Sequence, residues 1–160
     1  MLIDVNKAIE NKAIVRRYVE EVWTKRNPEV LEEFYPSSDL VEQEGLAEQG
    51  HPSLDEAIEY VRQVQAAFPD LSVTIEDMIA EGDRVAVRTT WRGTFDGEAI
   101  GGVPPTGESV TLFGTVIWGI TDGKIVQVFG TSPDSELDRL GLTEYLMSHG
   151  EVFWKKPFYK

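Results

Sequence analysis

The carboxylates and two histidines are the first groups to weigh for proton chemistry in this sequence, and the absence of cysteine excludes a thiolate nucleophile. His51 and His149 stand far apart with no His-x-His or His-Glu-x-x-His spacing, so no metal site is expected. His51 lies in Gly50-His51-Pro52, just ahead of a helix start, and reads either as a loop residue or as a pocket acid–base. Asp77 shares a two-residue period with Val73 and Ile75. At a sheet edge it would face solvent. Turned inward it would be a base, since desolvation raises a carboxylate's pKa. Arg88 and Arg92 share one strand face, where they either pair with surface acids or reach an acid or enolate oxygen. Asp70 follows Pro69 at a turn and suits backbone capping. Asp134, in Ser-Pro-Asp-Ser-Glu, suits the start of a helix as N-cap or first-turn acid.

The surroundings of these groups follow from composition. With 28 acidic and 15 basic residues among 160, the formal net charge is -13. Such a surface repels phosphate backbones and anionic lipid, so neither nucleic acid nor a membrane is an expected partner. The polar N-terminus has no signal-like apolar stretch, and no apolar run reaches eighteen residues, so a cytoplasmic location is expected. A hydrophobic fraction of 41% suits a single core.

The elements that must position these side chains are legible in the periodicity. Ile14, Tyr18 and Val22 form one row at spacing four, and Val15, Val19 and Trp23 form a second beside it. Asn27-Pro28 ends that helix, and Val30, Leu31 and Phe34 suggest a short second one ended before Pro36. Ser53 and Glu56 form a capping-box pattern before Leu54, Ile58, Val61, Val64 and Phe68, and Pro69 stops this third helix. The period then changes to two, predicting strands over 71–80, 84–95, 109–120 and 124–131, with a Gly/Pro-rich loop over 97–107. Helices followed by a strand meander give an α+β order: a curved antiparallel sheet on about three N-terminal helices, with a small-ligand cavity at its open end. Both sheet faces are largely apolar, which predicts a homodimer or a dimer-based oligomer. Trp23, Phe34, Trp91, Phe95, Phe113 and Phe129 are the aromatics expected in the core, some of them lining the cavity.

Several motifs then fall in a telling order: FPDL at 68–71, IEDMIAEGDRVAVRTTWRGT at 75–94, GGVPPTGESV at 101–110, DGKIVQVFG at 122–130 and DRLGL at 138–142. As a set they resemble the SnoaL-like polyketide cyclases, or ester cyclases, within the cystatin-like class of nuclear transport factor two and ketosteroid isomerase. The resemblance runs from about residue 11 to 142. It implies a cone-shaped sheet, a dimeric or higher assembly, and a pocket for a small apolar carbonyl compound. It also implies aldol ring closure or isomerisation by a carboxylate base, with neither metal nor organic cofactor. Where the family's last strand carries a His-Trp pair and an acid, this sequence has Val128 and Phe129 and no carboxylate between Lys124 and Pro133. Asp134 is the nearest acid and becomes the catalytic-base candidate, with Asp77 as the second. Phe95 and Val41-Glu42-Gln43 stand where the family often has histidines. A non-catalytic binding or scaffolding domain of the same fold is the rival reading. The domain is expected over 1–142, and 143–160 as a C-terminal helix and aromatic tail. Phe153, Trp154, Phe158 and Tyr159 should pack that tail on its own domain or across a dimer.

Overall fold

The structure, a computed structural model, describes residues 4–131, 134–143 and 145–146. Helix α1 spans Val5–Tyr18, and the Asp4 side chain caps it by accepting from the Lys7 amide. Its last part widens into a π-helix at Val19–Thr24, where the Lys25 amide reaches back to the Glu20 carbonyl at 2.8 Å. Val19, Val22 and Trp23, at spacings of three and four, are all buried there, as the two apolar rows in the sequence lead one to expect. A 3-10 turn at Pro28–Val30 leads into the short α2 (Leu31–Phe34). Helix α3 (Ser38–Gln43) has no counterpart in the periodicity. It is a six-residue helix with Leu40 as its one buried residue, too short to show a stripe. Helix α4 (Leu54–Ala67) starts at the Ser53–Glu56 capping box. The amides of Gly97 and Glu98 satisfy the carbonyls of Ala67 and Ala66 at its end.

Strands β1 (Ser72–Glu81), β2 (Arg84–Thr94), β3 (Ser109–Thr121) and β4 (Lys124–Thr131) form one antiparallel sheet in the order β1-β2-β3-β4. The β3–β4 hairpin turns through Asp122-Gly123 with positive φ at both, 50° and 74°. Register shifts at Ile75/Asp77 and at Gly119/Ile120 bend the sheet around the helices. The inner face joins α1, the π-helix and α4 in two adjoining clusters, one around Val22, Val61, Val64 and Phe68, the other around Val15, Val85, Val87 and Trp118.

After β4, helix α5 (Asp134–Leu140) ends at Gly141, whose φ of 71° lets the Leu142 amide bond to the Leu137 carbonyl at 2.9 Å. Leu142 is fully buried, and Tyr145 and Leu146 pack on the main cluster. Residues 147–160, with the four aromatics of the expected tail, lie outside the described residues. Among the described residues no helix is long and apolar enough to cross a membrane.

Candidate functional site

A cavity of about 280 Å³ lies between the inner face of the sheet and the helices. Tyr18, Trp23, Phe34, Tyr35 and Tyr60 line it from the helices. Val73, Val87, Thr89, Trp91, Leu112 and Val128 line it from the sheet, and Leu137 and Leu146 border it from the C-terminal segment. Helix α4 supplies Ala57, Tyr60, Val61 and Val64, one face of the helix at spacings of three and four. Strand alternation supplies Val87, Thr89, Trp91 and Gly93 from β2.

No described lining residue carries an Asp, Glu, His, Lys or Arg side chain. The polar groups in the wall are neutral, and many are already engaged. Trp91 donates its indole N–H to Thr89 Oγ1 at 3.0 Å, and Tyr35 donates its hydroxyl to the Pro52 carbonyl. Trp23 meets Trp91 edge to face at 4.9 Å, and Tyr18 meets Trp118 at 4.8 Å. Burial pushes the Tyr18 hydroxyl up to about 12, with the Trp23 indole beside it working the other way. Burial also raises Tyr35 and Tyr60. These groups are therefore neutral donors near pH 7 and cannot serve as bases there.

The expected site residues separate into several sets. Trp23, Phe34 and Trp91 border the cavity. Phe95 is fully buried but lies behind the wall, stacked on Phe68 at 5.2 Å. Phe113 is 58% exposed, because strand alternation sends its neighbours Leu112 and Gly114 to the cavity and Phe113 to the other face. His51 also stands outside the wall, half-buried, edge to face with Tyr35 at 5.1 Å and hydrogen-bonded through Nδ1 to the Pro52 carbonyl. Asp77 is not on the face of Val73 and Ile75. The register shift after Ile75 sets Met78 opposite Val87 and Asp77 opposite Arg88, so Asp77 is exposed and bonds the Met78 amide. Arg88 and Arg92 are likewise exposed. Asp134 begins α5, one turn before the cavity residue Leu137, and Phe129 lies on β4 opposite Ile117. The side chains of Asp134 and Phe129 are outside the described set. Among the described residues no group of three or more His, Asp or Glu side chains could hold a metal ion.

The sequence reading missed Tyr18, Tyr35, Tyr60 and Thr89 as cavity residues. Tyr18 was visible in the α1 stripe, and Tyr60 falls three residues after Ala57 and four before Val64, so both carried the helical signal.

The profile of the SnoaL-like polyketide cyclases matches residues 13–135. The chain belongs to the SnoaL-like polyketide cyclase family. No curated protein matches it significantly in sequence. Among solved structures, a candidate SnoaL-like polyketide cyclase from Jannaschia sp. CCS1 superposes with a TM-score of 0.65 at 20% identity, covering 98% of this chain and 100% of that one. AclR from Streptomyces galilaeus, a candidate hydroxylase, gives 0.65 at 24% identity over 84% of this chain and 82% of its own. A candidate polyketide cyclase from Acidithiobacillus ferrooxidans gives 0.61 at 22% over 93% and 99%. At these identities the likeness shows the shared fold alone. The SnoaL-like cavity of this chain is walled by aromatic and aliphatic groups.

Proposed function

We propose that this SnoaL-like domain binds a small, flat, apolar carbonyl compound in its cavity. The carrying observation is the wall itself: about 280 Å³ lined by aromatic and aliphatic side chains, with neutral hydroxyls and indole N–H groups as its polar side-chain groups. That volume is near the lower end of the roughly 300–1,000 Å³ usual for small-molecule sites, which favours a compact ring system over a long chain. Trp23, Trp91 and Trp118 border it, so occupancy should be visible in intrinsic fluorescence. Titration with a two-ring aromatic ketone should give saturable quenching with one site per chain. Quenching that rises without saturation, or none at all, contradicts the reading.

A second reading adds catalysis, and the position of Asp134 favours it. Asp134 opens α5 one helical turn before Leu137, which borders the cavity. As a base it would take the proton alpha to a carbonyl. The enolate carbon then attacks a second carbonyl of the same molecule, and the resulting alkoxide takes up a proton. With a diketone that can cyclise, Asp134→Asn should abolish turnover and leave ligand affinity and melting temperature nearly unchanged. Unchanged turnover would assign Asp134 to the helix terminus, where a first-turn acid contributes about 0.3–1 kcal/mol.

The assembly we propose is a homodimer. Its support is the outer sheet face, where Phe113 and Ile79 are 58% and 67% exposed.

A further inference from the structure

The C-terminal chain arrives at the cavity along a fitted path. Gly101, at a φ of 59°, leaves room for the Tyr145 ring, since a Cβ there would lie 2.4 Å from it. The Tyr145 hydroxyl donates to Gln63 Oε1 on α4, and Gln63 donates from Nε2 to Glu59 at 2.9 Å. One residue further on, Leu146 lines the cavity. The chain is thus pinned between the 97–107 loop and α4, and whatever follows Leu146 starts at the cavity wall. Part of that wall is open. Tyr60, Leu112, Val116, Val128 and Leu146 line the cavity yet are only half-buried. Next to Tyr60, Asp55 and Glu59 make an exposed acidic row at spacing four that runs along α4 into Gln63. Neither acid has an ion pair among the described residues.

The sequence that follows Leu146 complements both surfaces. Residues 147–160 contain the aromatics Phe153, Trp154, Phe158 and Tyr159, and the three lysines 155, 156 and 160 against one acid, Glu151. Extended, these residues reach about 46 Å, several times the width of the cavity. We propose that residues 147–160 close over the open side of their own chain's cavity. Their aromatic side chains lie on the half-buried apolar rim, and Lys155 and Lys156 lie on the acidic row of α4. An apolar rim flanked by charge is the kind of surface that takes such a partner, and the Tyr145 anchor holds this one at high effective concentration. A ligand in the cavity must then wait for the segment to lift before it leaves. The contact itself is independent of the small-molecule reading above, and the effect on ligand exchange rests on it.

The chain has no cysteine, so one introduced pair of thiols reports one contact. Pro157→Cys is combined with Asp55→Cys on α4, or with Glu98→Cys as a control on the loop that holds the Tyr145 ring. Mild oxidation should link 55 to 157 within one chain at least about tenfold faster than 98 to 157. Equal rates, or linkage only between two chains, overturn the proposal. The second measurement is the dissociation rate of 2-acetylnaphthalene, followed by stopped-flow tryptophan fluorescence. Removing residues 151–160 should raise that rate about tenfold. Lys155→Glu combined with Lys156→Glu, which keeps every aromatic, should also raise it, and added salt should raise it in the wild type. Melting curves confirm that each variant is folded. A dissociation rate unchanged in both variants removes the closing role and overturns the proposal. If neither the full nor the shortened chain binds the ketone, the small-molecule reading falls, and the two oxidation rates still decide the contact.

Discussion

Burial holds the His51 imidazole below its ordinary pKa, against the opposing pull of hydrogen bonds to the Pro52 and Ile125 backbone. The folded chain therefore keeps His51 neutral at a pH where the unfolded chain binds a proton. Because the unfolded state then holds more protons, stability rises with pH across that interval. His51 contributes fully above the unfolded value of about 6.5, and its contribution is lost as pH falls below it toward the lower folded value. Melting temperatures of the wild type and His51→Gln, measured from pH 7.5 to 5, should converge as pH falls. Parallel curves would show that His51 does not titrate with folding. The histidine could be found from composition, but its role could not. Gly50-His51-Pro52 reads as a loop, and only the fold brings Tyr35 edge-on to the ring. Asp77 shows the same limit more sharply. Alternation put it on the face of Val73 and Ile75 and left open whether it faced solvent or cavity; one register shift takes it off that face, a local event that no periodicity reports. Asp70 was more legible: a turn acid expected to cap backbone does accept from the Thr94 amide, at 2.6 Å.

The strands and the longer helices could be read closely because their burial follows simple periods. The capping box at Ser53 and the Asp122-Gly123 turn mark their boundaries by local chemistry. The π-helix could not be read this way. Its end is tied to a distant partner, Gln65 on α4, which is 7% exposed and donates from Nε2 to the Val22 carbonyl at 2.8 Å. Arg26 in turn donates to the Gln65 carbonyl at 2.6 Å, so the segment carrying Trp23 is tied to α4 at two points. Replacing Gln65 by Leu leaves a buried acceptor without its donor and should cost about 1–3 kcal/mol of stability. Because Trp23 meets Trp91 edge to face only while that segment is held, the near-UV circular dichroism should change in the folded variant as well. A variant of wild-type stability with an unchanged tryptophan signal would show that the π-helix holds itself.

For the molecule as a whole, the two sheet faces have different destinies. The inner face closes over helices and cavity, while the outer one presents Phe113 and Ile79 to solvent in the single chain. Light scattering at micromolar concentration should give twice the chain mass of 18.0 kDa. Phe113→Glu should return the mass toward 18.0 kDa with the fold retained. A wild-type monomer contradicts the dimer. The sequence made this two-sided sheet visible, together with the α+β order and the family. It could not show which groups face the cavity, since Tyr18 and Tyr60 come from helices far apart in the chain and line one cavity only in the folded core. The central claim is that this cavity is the ligand site. A crystal structure of the protein soaked with 2-acetylnaphthalene tests it most directly. The account predicts ring density in the cavity, packed against Trp23 and Trp91. Ligand density confined to the outer sheet face, or a cavity left without ligand at saturating concentration, would contradict it.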